Sequence, residues 1–355
     1  MAHRILLTGA NGFIAQHILT QLLEAGHSVR AVVRNQPKAD QLLSTFASYP
    51  STQLDTALVP DITTPGAFDA ALASNRPFDA VLHTASPFNY RVVSSNLDFI
   101  DPAIKGTTEI LSGIARVAPS VKRVVMTSSM AAVINWFLPK QTDPAKIYTE
   151  ADWNPITWDE AVSTKVLNLA YGASKKFAEE AAWDFVAKKN PGFDLVIINP
   201  PMVYGPLADP NTYKSPQALN QSNFNLWRNF LDPGLTSASP VPPEGLHLYV
   251  DVRDVARAHV LSVVTPEAGG KRFVIGNGGV SNQKIANLFR EALPKLADRI
   301  PEGEPDNAEL PKGLFKVDSS LIQKVLGLKY TSIEDTFKQV AVQLAHIDEL
   351  AQKTA

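Results

Sequence analysis

Apolar residues recur along this chain in two rhythms. Short runs such as Ile5, Leu6 and Leu7 are apolar without interruption, as strands covered on both faces require, while longer stretches repeat apolar residues three and four apart, as on one face of a helix. Residues 4–8 predict a strand, residues 9–12 a tight turn, and residues 13–25 a helix whose Ile14, Ile18, Leu19 and Leu22 share a face. The strand pattern restarts at residues 28–33, so strand, turn, helix and strand occupy about 30 residues, the size of a βαβ unit. Further strands are predicted over residues 54–59, 80–84, 121–127 and 194–199, with helices over 104–117 and 175–188 among them. This alternation predicts an α/β fold built on a doubly wound, mostly parallel sheet.

The pattern changes after residue 199. Prolines, asparagines and aromatics crowd residues 199–249, which reads as a loop-rich element laid over the sheet edge. Regular periodicity resumes over 247–263, residues 272–275 can return a strand to the sheet, and helices are predicted over 282–293, 318–326 and 333–350. The acidic, proline- and glycine-containing residues 301–311 form the best internal linker. The resulting division is a main nucleotide-binding domain over 1–200, a substrate-lobe segment over 201–245, a return to the first domain over 246–277, and mainly C-terminal substrate lobe over 278–355. That second lobe is therefore smaller and discontinuous.

Composition narrows the partners. With 355 residues, 45% hydrophobic and 19% charged, the chain can bury one or two substantial cores. A net charge of -2 and a pI near 6.4 give no basic field for nucleic acid or an anionic membrane. Cysteine is absent, which excludes thiol catalysis, thiolate metal sites and disulfides, and the seven histidines form no short ligand cluster, so no metal is expected. No signal-peptide pattern opens the chain and no apolar run approaches the roughly 20 residues of a membrane span. A cytoplasmic monomer or homodimer acting on a small molecule is the expectation.

Gly9, Asn11 and Gly12 follow the first strand and open the first helix, at Phe13 and Ile14. Gly9 can make the sharp turn, and Gly12 lets backbone approach a pyrophosphate whose charge faces helix N-terminal N–H groups. The alternative is a tight structural turn, but the strand-turn-helix context favours a Rossmann-type dinucleotide site. Arg34 ends the second strand where a carboxylate would be expected to bind a ribose 2'-hydroxyl, and Lys38 follows four residues later. Two cations there complement an additional phosphate, so NADP(H) is favoured over NAD(H), against the alternative of a solvated basic loop. Asp61 and Ile62, after the third strand, are candidates to flank the adenine.

Hydroxyls end the strand at Thr127, Ser128 and Ser129, and Tyr171 and Lys175 lie four residues apart, on one face of a helix. Hydride arrival at a carbonyl carbon leaves negative charge on oxygen, which needs a proton and hydrogen-bond donors. Tyr171 can supply the proton, Ser129 can bind the oxygen, and Lys175 can favour tyrosinate and hold a nicotinamide ribose. Taken singly, each of these residues would more often be a surface pair or a cap.

On the stretches GANGFIAQHI, LHTASPF, TSSMAAV, YGASKKFAEEAAW and YVDVRDVARAH, nearly the whole chain resembles the extended short-chain dehydrogenase/reductases. More narrowly it looks like the fungal NADPH-dependent methylglyoxal and aldehyde reductases, relatives of plant dihydroflavonol reductases. The resemblance implies Ser129, rather than Ser128, as catalytic serine, Tyr171 as proton donor and Lys175 as the pKa-tuning lysine. It also implies cofactor contacts at Gly9, Asn11, Gly12, Phe13, Ile14, Arg34, Lys38, Asp61 and Ile62, with Thr84, Ala85, Pro200, Val203 and Ser222 bordering the cofactor. Ala15 replaces the glycine common in the wider family, as in the fungal reductases.

Family placement brings Phe88, Met130 and Met202 toward the substrate together with Ser129 and Tyr171, with Trp227, Trp136, Phe137 and Tyr204 as outer walls. Relatives often carry tyrosine at the two methionine positions; methionine adapts to irregular apolar groups, so aromatic ketones and bulky aldehydes join small dicarbonyls as expected substrates. His83 reads as a structural residue. NADPH-dependent reduction of aldehydes and ketones is thus the leading expectation. NADP-dependent sugar-nucleotide epimerisation or dehydration, and nonenzymatic NADP sensing, are the alternatives.

Overall fold

The computed structural model describes residues 2–86, 95–136 and 146–354. Its first elements are β1 (Arg4–Thr8), α1 (Phe13–Glu24), β2 (Ser28–Val33), α2 (Gln36–Thr45), β3 (Leu54–Leu58), α3 (Asp69–Leu72), β4 (Ala80–His83), α4 (Leu97–Val117) and β5 (Arg123–Thr127). The short β6 (Ile147–Tyr148), α5 (Trp158–Ser163), α6 (Leu167–Lys189) and β7 (Asp194–Asn199) follow. Next come β8 (Met202–Tyr204), α7 (Gln221–Phe230), β9 (Tyr249–Asp251), α8 (Val252–Val264) and β10 (Arg272–Val274). The chain ends in α9 (Asn282–Ala292), β11 (Lys316–Val317), α10 (Ser320–Leu326) and α11 (Ile333–Thr354).

Among the described residues, seven strands form one sheet in the order β10-β7-β5-β4-β1-β2-β3, with every neighbouring pair parallel. Strand order reverses between β1 and β4, where Leu7 lies opposite Ala31 on one side and Leu82 on the other. A crevice at the carboxyl ends of such strands is the ligand position of open α/β sheets.

Alternate residues of the buried strands serve opposite faces. Ile5, Leu7, Leu82 and Val125 pack with Ile18, Leu22 and Val255 of α1 and α8, whereas Leu6, Val81 and Val124 pack with Ile110, Ile114 and Ala182 of α4 and α6. The sheet is therefore sandwiched between helical layers, and the fold is the Rossmann-type α/β sheet that the strand rhythm predicts.

The elements differ from the sequence reading in extent. Helix α4 begins at Leu97 and runs through Pro102, and α6 begins at Leu167, well before the predicted residue 175. Small residues allow the latter: a methyl group built at Gly172 would sit 3.7 Å from Ala131 O, so the helix lies close against the turn after β5. Residues 199–249 also contain α7, whose buried Asn223, Leu226, Trp227 and Phe230 repeat at helical spacing among polar residues.

A second apolar cluster joins α7, α9 and α11 through Phe230, Phe289, Phe337, Leu226, Ile285 and Leu344. Trp227 adds a polar tie, its indole N–H donating to Asp348 Oδ1 at 3.0 Å. No helix among the described residues is long and apolar enough to cross a membrane.

Phe337 is fully buried at the centre of that cluster, with Tyr204 and Tyr249 rings 5.5 and 5.4 Å away. Phe337→Ala is expected to lower unfolding free energy by about 3–5 kcal/mol. Urea titration read by tryptophan fluorescence checks this, and a loss below about 1 kcal/mol would contradict the packing role.

Candidate functional site

The carboxyl edge of the sheet gathers the residues singled out above. β1 leads into Gly9, whose φ of 67° is in the left-handed region and whose added Cβ would lie 3.0 Å from the Ala85 backbone. Two strand ends are thus in contact where only glycine fits without strain. Gly12 donates its N–H to Gly9 O at 2.8 Å, remains exposed, and begins α1 with neither a side-chain cap nor an acidic residue in the first turn. The helix N-terminus consequently offers amide donors and positive potential. Asn11 contributes its carbonyl to Gln16 Nε2 at 3.2 Å; Phe13 and Ile14 are half-buried.

Arg34 is exposed just beyond β2, while half-buried Lys38 lies in α2, capped by Asn35. Asp61, beyond the neighbouring β3, accepts the N–H and hydroxyl of Thr63 at 2.9 and 2.7 Å. Those hydrogen bonds, with a smaller contribution from the Arg34 charge, hold its carboxyl below the usual range. Ile62 packs close over Gly106 of α4. On the β4 side, Thr84 Oγ1 donates to Thr8 O at 2.7 Å and Ala85 N–H donates to Thr8 Oγ1 at 3.2 Å.

His83 is buried with its Nδ1 2.8 Å from Thr8 Oγ1. Burial, helped by the nearby Lys175 charge, pushes its pKa down to about 3, so the ring is neutral. This agrees with a structural reading and removes it as a source of protons near neutral pH.

The two adjacent serines separate cleanly. Ser128 donates its hydroxyl to Glu179 Oε2 at 2.6 Å, whereas Ser129 caps the turn after β5, its Oγ accepting the Ala131 N–H at 3.1 Å. As an acceptor there, Ser129 retains its own proton as a donor. Tyr171 and Lys175 occupy neighbouring turns of α6, with Lys175 Nζ 5.6 Å from the Tyr171 ring centre. Lys175 Nζ also donates to Ser86 Oγ at 2.9 Å, and burial pushes its pKa down to about 8. Lys176, next in sequence, turns elsewhere and donates to Ile156 O at 2.7 Å.

Sequence reasoning passed over the group that fixes these parts. Glu179, four residues after Lys175, is buried and accepts from Ser128, from Asn199 Nδ2 at 2.7 Å and from Arg272 Nε. Asn199 also reaches Ser129 O at 3.1 Å, and the Arg272 guanidinium reaches Glu150 O at 2.9 Å, Asp152 O and Ala132 O, stacking 3.8 Å over the Trp153 ring. The helical spacing of Tyr171, Lys175 and Glu179 was the signal available. A cavity of about 30 Å³, large enough for water, lies beside His83, Ser128, Lys175 and Glu179.

The substrate candidates divide. Met202 and Tyr204 line a cavity of about 210 Å³, and burial pushes the Tyr204 phenol up to about 12. Met130 is fully buried among Val133, Ile134, Tyr148 and Val274, and Trp227 is 7% exposed within the second cluster, so the structure gathers neither at an open surface. Trp136 packs edge-on to Phe315 at 5.5 Å. Pro200 is buried and accepts the Met130 N–H at 2.9 Å; Val203 lies buried in β8, and half-buried Ser222 lies in the first turn of α7. Phe88 and Phe137 lie outside the described residues. No group of three or more histidines and carboxylates suited to a metal occurs among the described residues.

A parallel sheet with a glycine turn at its switch point and a Tyr-Lys helix beside a hydroxyl-ended strand defines a Rossmann-type α/β protein of the dehydrogenase/reductase kind. The sequence profile of the NAD dependent epimerase/dehydratase family matches residues 5–276, and the chain belongs to that family, the extended short-chain dehydrogenase/reductases. It is 41% identical over 334 residues to the ketoreductase azaE of Aspergillus niger, covering 94% of this chain and 95% of that protein. It is 36% identical over 348 residues to the NADPH-dependent methylglyoxal reductase GRE2 of Saccharomyces cerevisiae, covering 96% and 97%. The crystal structure of yeast methylglyoxal/isovaleraldehyde reductase Gre2 complexed with NADPH superposes with a TM-score of 0.87 at 33% identity, covering 98% of this chain and 99% of that one. The family expected from the motifs is thus the family found.

The lowered pKa of Lys175 has a defined stability consequence. Between about pH 8 and 10.5 the unfolded chain keeps a proton that the cofactor-free folded chain has shed, so stability rises with pH across that window. Below it, both states are protonated and folding carries the full desolvation penalty. Lys175→Met is therefore expected to be more stable than the parent at pH 7, with the difference shrinking toward pH 10.5. Urea titrations of both proteins at several pH values check this, and a pH-independent difference would contradict it.

Proposed function

We propose that this protein reduces aldehydes and ketones to alcohols with NADPH. The observation that carries the reading is the Lys175 ammonium beside the Tyr171 ring, on a helix pinned to the strand end that presents Ser129. The names of the ketoreductase and methylglyoxal reductase relatives support it.

The residues fit a dinucleotide phosphate: an uncapped, acid-free α1 N-terminus behind Gly9 and Gly12, and Arg34 with Lys38 beyond β2. Asn11, Phe13, Ile14, Thr84, Ala85, Pro200, Val203 and Ser222 would complete the cofactor's surroundings, with Asp61 and Ile62 beside the adenine. NADPH, when bound, supplies the hydride that the carbonyl carbon accepts.

Charge developing on the carbonyl oxygen meets the Ser129 hydroxyl and the Tyr171 O–H. Tyr171 gives its proton to that oxygen, and the adjacent Lys175 ammonium favours the tyrosinate left behind. Ser128, whose hydroxyl is committed to Glu179, does not compete for the oxygen. The cluster of α7, α9 and α11, built mainly from residues 201–245 and 278–355, forms the substrate lobe, with Met202 and Tyr204 on its side of the site.

Tyr171→Phe is expected to lower kcat by about 10²–10⁴-fold, while the NADPH Kd stays within a few-fold. Stopped-flow absorbance and fluorescence titration check the two parts, and undiminished turnover would remove the acid role. Arg34→Ala is expected to weaken NADPH by roughly tenfold or more and to leave NADH nearly unchanged, as loss of a charge-assisted hydrogen bond requires. Equal effects on the two cofactors, measured by the same titration, would contradict the phosphate contact.

A further inference from the structure

The cavity bounded by Met202 and Tyr204 has a polar wall that reduction of a simple carbonyl does not use. Helix α7 turns Asn225, Arg228 and Asn229, at i, i+3 and i+4, toward it, while Asn223, Leu226, Trp227 and Phe230 face the second apolar core. Arg228 is exposed, and among the described residues neither its guanidinium nor the Asn229 side chain has a hydrogen-bond or ion-pair partner. Asn225 spends its Oδ1 on Gln221 Nε2 at 2.9 Å, which leaves its amide N–H₂ as donor. The wall is thus an array of donors around a fixed positive charge.

The facing wall is held in place. Asn282 Nδ2 donates to Pro242 O and Pro243 O at 3.2 and 2.9 Å, and Asn282 N–H donates to Glu244 Oε1 at 2.9 Å. Glu244 also borders the cavity, yet it is held by that N–H and forms no ion pair with Arg228. Between the polar walls lie Met202, Leu246, Val280 and Ile285. At about 210 Å³ the space exceeds the roughly 150 Å³ cavity that accommodates benzene, so it takes a ring or short apolar chain together with a polar group.

Met202 follows Pro200 by two residues, and Pro200 O accepts the N–H of Met130, the neighbour of Ser129. Chain geometry therefore keeps the cavity's Met202 edge within ~12 Å of the Met130 amide. A single molecule can span the two positions.

We propose that Arg228, with Asn225 and Asn229, binds a carboxylate at the far end of the carbonyl substrate, so that the preferred substrates are oxo acids with an apolar body between carbonyl and carboxylate. The guanidinium fork matches the two oxygens of a carboxylate, and the two amides can donate to the same group. Met202 and its apolar neighbours cover the intervening body. The assignment of the carbonyl end rests on the reductase reading; the carboxylate end rests on the cavity itself.

The test compares 4-formylcinnamate with its methyl ester, using NADPH-loaded protein at low ionic strength. The acid is expected to have at least tenfold higher kcat/KM, and Arg228→Gln is expected to lower the acid-to-ester ratio at least tenfold. In parallel, calorimetric titration with cinnamate and cinnamamide, which cannot be reduced at an aldehyde, is expected to show at least tenfold weaker cinnamate binding in Arg228→Gln and little change for cinnamamide. Equal acid and ester turnover in the parent, or cinnamate binding that does not depend on Arg228, overturns the carboxylate site. If neither aldehyde is reduced while cinnamate binding still depends on Arg228, the reductase reading falls and the carboxylate site stands.

Discussion

A buried ion pair between Glu179 and Arg272 holds helix α6 to the strand ends beside Ser128 and Asn199. Removing two charges from water is costly, and their attraction offsets that cost only when the remaining donors and acceptors are also paired. Here they are: the carboxylate also takes Ser128 and Asn199, and the guanidinium takes three carbonyls and the face of Trp153. The bonds reach three places: the end of β5 with the turn after it, the end of β7, and the segment between β6 and α5. The pair consequently fixes α6 relative to β5, β7, β10 and the turn that Ser129 caps. An apolar contact of the same size would hold these elements together but would leave their relative sliding less constrained.

The same constraint explains how two neighbouring serines acquire different chemistry. Strand alternation sends them in different directions, and Glu179 captures the first. The second begins a tight turn whose carbonyls are anchored from outside, by Asn199 at Ser129 O and by Asn154 Nδ2 at Ala131 O, 2.7 Å away. Lys175 sits one helical turn before Glu179 but does not join the pair; its ammonium stays on the Tyr171 side, and burial makes it lose its proton more easily than an exposed lysine.

The sheet was legible because strands covered on both faces are built mainly of apolar residues, so runs such as Ile5 to Leu7 stand out along the chain. The glycine turn was legible for a similar reason: the left-handed backbone of Gly9 and its close approach to Ala85 leave a local mark. Helix starts were less so. The first turns of α6 contain Gly172 and Ser174, poor helix formers, and are helical because they pack on the turn after β5. Helix α7 was hidden among prolines and asparagines, since its apolar stripe makes sense only against α9 and α11. The surroundings of Met130 and Trp227 depend on distant packing that no local spacing encodes. Arg272 illustrates the same limit from the other side, because its partner lies 93 residues away.

The tie between Trp227 and Asp348 also bears on how the protein is made. Synthesis proceeds from the N-terminus, and domains tend to fold as units while the chain emerges. Six of the seven strands of the sheet, with the glycine turn and Tyr171, are complete by Asn199, and only the edge strand β10 with Arg272 follows, so most of the sheet can assemble early. Helix α7 must wait for α11, whose Asp348, 121 residues further along the chain, receives the Trp227 N–H. One wall of the cavity is thus set well after most of the sheet, and a nascent chain that stalls short of α11 carries its strands beside an unfinished neighbour.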